Sequence, residues 1–327
     1  MSAARVSIIV PVFNGVDTLA PSVDSLLNQT LDELEIVLIN DGSTDGSAEL
    51  IDQLAARHPQ ILPVHNDGNQ GVHETRLNGL RAATAPWIGF LDADDFARPE
   101  MFEKLLNAGQ THNADIVVCG SWRVTGARKV IAPKLKFRSS VTVTDGIFRR
   151  FCDFRFGTGM LWNKLFRREL IMPYAHLHFP WRQNINEDLI LNIACFKDAG
   201  TVHVMKDMLY EYVFRETSAS TSGTVEKACL QTLRAYAIAV SLFRDCGDDV
   251  LADITNMYRL QLSWPPYQLA DTRAMAAFGP EIREAVELIL DCYPAGLGGL
   301  ATTPRRSAMS LGRVAKALSR RFLGETV

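Results

Sequence analysis

Three carboxylates, Asp92, Asp94 and Asp95, lie within four residues, directly after the apolar run Trp87–Leu91. A run of that length is typical of a buried strand, and open α/β sheets bind ligands at the carboxyl ends of their strands. Carboxylates packed this closely repel one another unless a cation is present. Mg²⁺ prefers oxygen ligands and is often held by one or two carboxylates plus substrate phosphates, which favours a metal-bound nucleotide. The alternative is a solvated acidic turn that caps a helix starting near Pro99.

Two further polar loops follow predicted strands. The strand Val6–Val12 runs into Phe13 and Asn14, and the strand Glu35–Asn40 runs into Asp41-Gly42-Ser43. If these strands are parallel to the one before Asp92, all three loops meet at one edge of the sheet. Asp-Gly-Ser also favours a turn without any ligand, so a purely structural turn stays open at this point.

The elements that must position these loops alternate regularly over the first 120 residues. Apolar runs and amphipathic stretches succeed one another as in β-α-β units, which predicts a Rossmann-like, mainly parallel sheet flanked by helices, an α/β fold. From Val225 to Leu290 the spacing is helical, so we expect an α/β domain over 1–222 and a helical C-terminal region over 223–327. The other predicted elements are strands at Ile61–Val64, Trp87–Leu91, Ile116–Cys119, Thr201–Val204 and Leu209–Val213, helices at Pro99–Gln110 and Asp188–Phe196, and a hairpin at Arg123–Ile131.

Composition excludes several classes of protein. With 47% hydrophobic and 22% charged residues the chain is an ordinary globular protein, and its net charge of -3 argues against general nucleic-acid binding. Six scattered cysteines without a C-x-x-C pair suggest neither a zinc ribbon nor a disulfide framework, so we expect reduced thiols and a cytoplasmic location. No apolar stretch approaches the roughly 20 residues needed to span a bilayer, and we recognise no secretory signal.

The end of the chain has its own charge pattern. Residues 303–327 hold six basic side chains against one acidic side chain, and Met309, Val314, Leu318 and Phe322 lie roughly along one helical face. Such a basic amphipathic tail suits contact with an anionic membrane surface at the inner face of the cell membrane. A solvated basic helix or a frayed terminus is the alternative.

Taken together, these motifs resemble the nucleotide-sugar-dependent glycosyltransferases of family 2, which have the GT-A fold. The resemblance covers about residues 5 to 220, and its later landmarks are similar to those of the type that builds capsule and lipopolysaccharide. The residues that carry it are Val6–Gly15, Glu35–Ser47, Asn69-Gln70-Gly71 with Arg76 and Gly79, Asp92-Ala93-Asp94-Asp95 as the D-x-D motif, Trp162–Phe166, Glu187-Asp188, and Tyr210 through Arg215 to Ser218.

The resemblance implies a donor site built from these loops. Asp41 is expected to hydrogen-bond the nucleobase, uracil in the best-known members, and Asp92 to face the donor near its ribose and phosphates. Arg76 would help to hold the diphosphate, although a solvated surface cation is the alternative. Asp94 would bind the Mg²⁺ or Mn²⁺ that bridges the diphosphate. The remaining donor-side residues are Pro11, Val12, Asn14 and Ala93.

The resemblance also implies the catalytic and acceptor residues. Asp188, with Glu187 beside it, would be the general base that takes the proton of the acceptor hydroxyl. Carboxylates at a helix start also complement the helix dipole, which is the structural alternative. The acceptor side would include Trp162, Asn163 and Lys164, within the aromatic and weakly periodic segment Cys152–Trp181 that we expect to form an irregular binding face. Trp162 is equally compatible with plain core packing.

The reaction that the resemblance implies is therefore an inverting, metal-dependent transfer of one sugar from a UDP-linked nucleotide donor to a glycan or lipid-linked acceptor of the cell surface. The Q-x-x-R-W signature of processive polymerases is absent, because Gln261-Leu262-Ser263-Trp264 lacks the arginine. The chain departs from the family pattern at His73 and Glu74, where small residues are usual, and at Leu77, which precedes the expected asparagine.

Other functions remain as alternatives. A catalytically silent nucleotide-sugar or glycan-binding protein would keep the same loops, although intact Asp92, Asp94 and Asp188 argue against it. A sugar nucleotidyltransferase would show a Gly-rich, Arg-containing loop after the first strand, which is missing here. A dehydrogenase is disfavoured because no G-x-G-x-x-G follows a strand.

Overall fold

A computed structural model describes residues 3–215, 224–263 and 265–301. The chain forms two compact units, each of which is discontinuous in sequence. The first unit comprises residues up to Ile147, Phe156–His178 and Leu191–Arg215, and the second comprises Phe148–Arg155, Phe179–Ile190 and the described residues from 224 onward. The predicted boundary near Ser222 and the basic tail after residue 302 lie outside the described residues.

The first unit is built on a single twisted sheet. Its strands are β1 (Val6–Val12), β2 (Leu34–Asn40), β3 (Ile61–His65), β4 (Trp87–Phe90), β5 (Phe96–Ala97), β6 (Ile116–Val124), β7 (Val130–Leu135), β8 (Val141–Val143), β9 (Lys164–Arg167) and β10 (Val202–Val213). They follow the order β3-β2-β1-β4-β9-β6-β10-β5, with β7 paired to β6 and β8 paired to β10. The four strands β3, β2, β1 and β4 are parallel, which confirms the α/β fold expected from the first 120 residues.

Beyond β4 the sheet is mixed, and here the structure adds to the prediction. β9 lies antiparallel between β4 and β6, inside the segment that we expected to be irregular. The hairpin predicted around Gly126 is confirmed as β6 and β7, and a tight connection of this kind requires antiparallel strands. The two short strands predicted at 201–204 and 209–213 are one strand, β10, with an irregularity between Val204 and Met208.

The helices are α1 (Val16–Leu27), α2 (Ser47–Arg57), α3 (Val72–Ala82), α4 (Met101–Thr111), α5 (Ile147–Cys152), α6 (Arg168–Ile171), α7 (Glu187–Asp198), α8 (Val225–Leu242), α9 (Asp248–Leu262), α10 (Pro265–Cys292) and α11 (Ala295–Ala301). Short 3₁₀ turns occur at Met172–Tyr174 and Arg244–Cys246. None of the described helices combines the length and the apolar character that crossing a bilayer requires.

The core of the first unit explains why its strands read as nearly continuous apolar runs. β1 lies between β2 and β4, and all of its residues except Pro11 are buried, as expected for a strand with both faces covered. Pro11 is tolerated because β1 pairs with β4 only as far as Ile9, so the missing N–H of Pro11 breaks no bond to that neighbour.

The predicted binding face at Cys152–Trp181 is wrong in part, because Trp162, Leu165 and Phe166 are buried core residues.

Gly79 sets how closely α3 approaches the sheet. A Cβ atom at this position would lie 2.5 Å from Ile9 Cγ2 and 2.8 Å from Ile39 Cδ1. We therefore expect Gly79→Val to lower the free energy of unfolding by about 1–3 kcal/mol through overpacking, measured by urea denaturation. Gly126→Val is the matched control, since no atom lies within 4 Å of the added Cβ there, and it should change stability by less than about 0.5 kcal/mol. Equal effects of the two substitutions would contradict this account of α3.

A stacked pair of histidines joins α4 to β10. The rings of His112 and His203 lie 3.9 Å apart at 6°, and Nδ1 of the buried His203 lies 2.8 Å from Thr142 Oγ1. Burial and the neighbouring His112 lower the pKa of His203 below its ordinary value of 6.5. The unfolded chain therefore binds this proton first as the pH falls, and stability present above pH 6.5 is lost as the pH falls below it.

The measurement is a set of urea unfolding curves at pH 7.5 and 5.5. We expect the wild-type protein to lose more stability between these values than His203→Asn does, because asparagine does not titrate. His58→Asn is the control and should behave as the wild type. If His203→Asn retains the full acid sensitivity, the stacked pair is not its source.

The second unit is helical in its described C-terminal part, as the spacing from Val225 predicted. α8 begins at Thr224, whose Oγ1 accepts a hydrogen bond of 3.2 Å from the Lys227 N–H, an ordinary N-cap. Gly247, with φ of 97°, separates α8 from α9, and α10 is kinked at Phe278, two residues before Pro280. One predicted helical stretch is thus several helices, divided where glycine and proline interrupt it.

Candidate active site

The parallel register brings the predicted polar loops of the first unit to one edge of the sheet. β1 pairs with β2 as far as Val12 and Asn40, and β1 pairs with β4 as far as Ile9 and Phe90. The loops after β1, β2 and β4 therefore leave the sheet on the same side, as the sequence predicted. They contain all donor-side residues predicted from the sequence except Arg76, namely Pro11 and Val12 at the end of β1, Asn14, Asp41, Asp92, Ala93 and Asp94.

Arginines neutralise the acidic loop after β4. Nη2 of the buried Arg76, on α3, lies 3.2 Å from Asp92 Oδ1. Arg215, just after β10, forms an ion pair with the carboxylate of Asp94, and its Nη2 donates a 3.2 Å hydrogen bond to the Asp94 carbonyl oxygen. Asp92, Asp94 and Arg215 are partly exposed, so their charged groups are accessible to a ligand, whereas the side chain of Arg76 is only 9% exposed.

Asp95 has a different position from the other two carboxylates, because it is buried. Its Oδ2 accepts a 2.8 Å hydrogen bond from the Tyr210 hydroxyl, and its Oδ1 accepts one of 2.8 Å from the Val213 N–H. Burial, followed by the nearby charge of Asp92, raises the pKa of Asp95 to about 8. Asp95 thus fastens the acidic loop to β10 from inside. The sequence did not predict that Asp95 would be buried. The apolar Phe96, which directly follows it, is the local sequence feature that indicates burial.

Asp41 organises the neighbouring loop. Its Oδ1 accepts hydrogen bonds of 3.0 Å from Asn66 Nδ2 and 2.8 Å from the Gln70 N–H, and its Oδ2 accepts one of 2.9 Å from the Gly71 N–H. The loop before α3 is thereby held against the end of β2. Gly42, with φ of 69°, is required here because a Cβ atom would lie 2.6 Å from the Gly68 carbonyl carbon. The nucleobase contact expected of Asp41 stays a prediction.

Asn14 connects the loops after β1 and β2. It has a φ of 50°, in the left-handed region that asparagine tolerates. Its Oδ1 accepts a 2.8 Å hydrogen bond from the Thr44 N–H, and its own N–H donates to Ser43 Oγ at 3.0 Å. The Val16 N–H donates to Asp45 Oδ2 at 3.0 Å. These bonds fix the two loops to each other, so that this edge of the sheet is preformed.

The residues predicted for the acceptor side are buried. Trp162 stacks on Tyr210, with ring centroids 4.1 Å apart at 20°. Asn163 Nδ2 donates a 2.9 Å hydrogen bond to the Cys119 carbonyl. Lys164 Nζ donates to the carbonyl oxygens of Met160 and, at 3.2 Å, Thr158. Their side chains hold the segment before β9 in place, and direct contact with an acceptor stays a prediction.

The carboxylate pair Glu187 and Asp188 belongs to the second unit, at the start of α7. Asn186, with φ of 65°, forms the turn before the helix, and the Leu189 N–H donates a 2.8 Å hydrogen bond to Asp188 Oδ1. Glu187 is buried, whereas Asp188 is partly exposed. Of the two, Asp188 is therefore the better placed to meet a substrate.

Tyr258 of α9 lies close to this pair. It is completely buried, and its hydroxyl has no hydrogen-bond partner among the described residues. Burial, then the negative charge of Asp188, raises the pKa of Tyr258 well above its ordinary value of 10. The tyrosine therefore stays neutral beside the carboxylates.

The acidic loop Asp92–Asp95 has the ligand type that hard divalent cations such as Mg²⁺ prefer. Among the described residues no group of three or more His, Cys, Asp or Glu side chains forms a complete metal cage. Mg²⁺ and similar hard cations do not need one, because they are held by one or two carboxylates together with substrate phosphates and water. Asp94 already attracts a cation, the Arg215 guanidinium, so its carboxylate suits a divalent ion that arrives with a diphosphate.

Comparisons with known proteins agree with this architecture. Residues 7–174 match the family model described as Glycosyl transferase family 2. The chain is 34% identical over 294 residues to the glycosyltransferase EpsJ of Bacillus subtilis, a match that covers 87% of this chain and 83% of EpsJ. It is 29% identical over 258 residues to the cholesterol galactosyltransferase of Borreliella burgdorferi, covering 74% of this chain and 70% of that one.

Solved structures show the same fold. Residues 1–349 of S. aureus TarS, crystallised in complex with UDP-GlcNAc, superpose with a TM-score of 0.58 at 17% identity, covering 94% of this chain and 95% of that one. The shared architecture is a mixed α/β fold with a central sheet flanked by helices. The chain belongs to glycosyltransferase family 2.

Proposed function

We propose that this glycosyltransferase is inverting and metal-dependent and moves one sugar at a time from a UDP-linked donor to a glycan or lipid-linked acceptor in cell-surface polysaccharide synthesis. The observation that carries the proposal is the paired arrangement of charges at the sheet edge, where Arg76 meets Asp92 and Arg215 meets Asp94. Carboxylates and guanidinium groups side by side suit a diphosphate and its cation, since each sign of charge on the ligand finds its counterpart.

The donor residues keep the roles that the resemblance implied. Asp94, with Asp92 near it, would hold Mg²⁺ or Mn²⁺, and the bound metal would supply Lewis-acid stabilisation of the leaving diphosphate. Arg76, whose Nη2 lies 3.2 Å from Asp92 Oδ1, would help to hold the diphosphate by charge-assisted hydrogen bonds. A UDP donor is supported by the complex of TarS with UDP-GlcNAc.

The acceptor hydroxyl must lose its proton as it attacks, and Asp188 is the proposed base. The side chain of Asp188 is partly exposed, and its Oδ1 accepts a 2.8 Å hydrogen bond from the Leu189 N–H, so its carboxylate is held at the start of α7 where a substrate hydroxyl can meet it. Direct displacement would invert the anomeric centre.

The test is a panel of nucleotide sugars examined by thermal unfolding with and without Mn²⁺. A true donor should raise the midpoint in a Mn²⁺-dependent manner, since a ligand that binds only the folded state stabilises it. Release of the nucleoside diphosphate should then require an acceptor, and NMR of the product should show inversion at the anomeric carbon. Stabilisation without product in any glycan or lipid-linked acceptor mixture would indicate a binding protein instead.

A further inference from the structure

The hairpin formed by β6, β7 and the loop after β7, residues 123–138, is strongly basic. It carries Arg123, Arg128, Lys129, Lys134, Lys136 and Arg138, and no Asp or Glu occurs between residues 116 and 144. The whole chain has a net charge of -3, so this basic hairpin stands out against its surroundings. A local excess of positive charge of this size attracts an anionic partner.

Three of these cations are engaged within the protein. The Arg123 guanidinium lies 5.0 Å over the Phe214 ring. Arg128 lies in the turn, with φ of 60°. Its Nε is 2.7 Å from Glu211 Oε2, and its guanidinium lies 4.7 Å over the centre of the Phe96 ring. The Lys134 ammonium lies 3.4 Å from the centre of the Tyr212 ring. These contacts fix the hairpin to β10 and β5. The side chains of Lys129, Lys136 and Arg138 are exposed to solvent.

Apolar side chains are exposed at the tip of the same hairpin. Val130 is 45% and Ile131 is 48% exposed, directly after the turn. Phe214, which is 38% exposed, adjoins them, because its N–H donates a 2.8 Å hydrogen bond to the carbonyl of Val124, the strand partner of Val130. Large exposed apolar side chains grouped among cations mark an interaction surface.

Protection of a sheet edge explains only part of this pattern. Among the described strands β7 pairs with β6 alone, and proteins guard such edges with lysine and proline, here Lys134 and Pro133. Edge protection does not call for exposed Val130 and Ile131, which work against it. Aliphatic tips flanked by lysine and arginine are instead the composition that binds a lipid interface.

We propose that the exposed β7 side of the basic hairpin docks on an anionic lipid bilayer. Val130 and Ile131, beside Lys129 at the turn end of β7, enter the headgroup region, while Lys136 and Arg138 beyond the other end of β7 face the lipid phosphates. The hairpin is connected to the acidic loop through β10, since the Val213 N–H donates to Asp95 and Val213 pairs with Val124. Docking there brings the donor site near the membrane surface. This inference is independent of the proposed reaction.

The test is flotation of the full-length protein with vesicles of phosphatidylcholine alone or with 30% phosphatidylserine. We expect binding to the anionic vesicles alone, weakened by salt. Each neutralised cation should weaken binding about fivefold, so the double substitution Lys129→Gln and Lys136→Gln should weaken it about 25-fold. The pair Val130→Thr and Ile131→Thr should also weaken it several-fold, since it removes the apolar contribution while keeping β-branched residues.

The matched control lies on β3, at the opposite edge of the sheet. Leu62→Thr removes a side chain that is 37% exposed, and Arg57→Gln removes an exposed cation at the end of α2, which packs on β3; both should bind like the wild type. Thermal unfolding and donor-induced stabilisation should be unchanged in every variant, which separates this test from that of the reaction.

Three results would overturn the proposal. The first is a wild-type protein that does not float with anionic vesicles. The second is a set of hairpin variants that bind as tightly as the wild type, which would assign binding to another surface such as the tail after residue 302. The third is hairpin-dependent binding of inorganic polyphosphate without binding to vesicles, which would identify a soluble polyanion as the partner.

Discussion

Replacing Asp188 with asparagine should lower the turnover number by about 10²–10⁴-fold, because a general base of this kind contributes that factor. Asparagine has the same shape and keeps an oxygen for the Leu189 N–H, so the start of α7 should persist. It accepts no proton, and the acceptor hydroxyl would attack unassisted. The measurement is the rate of nucleoside diphosphate release with saturating donor and acceptor, beside donor binding by calorimetry, which should change little.

Two companion variants make this result specific. Glu187→Gln tests the other member of the pair, and we expect a smaller loss because Glu187 is buried. Asp249→Asn is the matched control, since Asp249 also lies in the first turn of a helix of the second unit and is exposed. It should keep full turnover. Turnover of Asp188→Asn within threefold of the wild type would remove Asp188 from the role of base.

Replacing Asp94 with alanine should abolish the Mn²⁺-dependent part of donor binding and reduce turnover by at least about 100-fold, since a bound metal supplies several kcal/mol of charge stabilisation. The fold should survive. Asp94 and Arg215 are 46% and 33% exposed at their side chains, and pairs exposed to this degree contribute less than about 1 kcal/mol to stability. Calorimetric titration of donor with and without Mn²⁺, beside urea denaturation, measures both effects.

Asp207→Ala is the control for this second prediction. This substitution removes a comparable ion pair, because Asp207 Oδ1 lies 3.2 Å from Lys104 Nζ and the two side chains are 31% and 42% exposed, respectively. Asp207 lies outside the D-x-D motif. It should leave donor binding unchanged. If Asp94→Ala binds the donor with undiminished dependence on Mn²⁺, another group holds the metal.

The sequence predicted those parts of the fold that depend on local patterns. The strands β1, β2 and β4 are almost completely buried and read as apolar runs, and each polar loop directly follows its strand. Parallel pairing then places the loops together without any further information. For this reason Asp41, Asp92 and Asp94 could be assigned to one edge before the structure was known.

The parts that could not be predicted depend on contacts between distant positions. Asp95 meets Tyr210 and Val213 across more than 100 residues, and Asp94 meets Arg215 in the same way. Nothing in the spacing of a single chain specifies these pairs. β9 was missed for a related reason, since its four residues are too few to show a period, and its place between β4 and β6 is decided by packing.

The close approach of α3 to the sheet has a consequence for reading mutational data. Gly79 and Arg76 are three residues apart, so they share one face of the helix, and the contact that seats the glycine on Ile9 also aims the guanidinium at Asp92. Any side chain added at position 79 would tilt the helix and carry Arg76 away from its partner. A mutational survey that measures only sugar transfer would then classify Gly79 as a residue that contacts the ligand. Its actual role is to set the distance between α3 and the sheet.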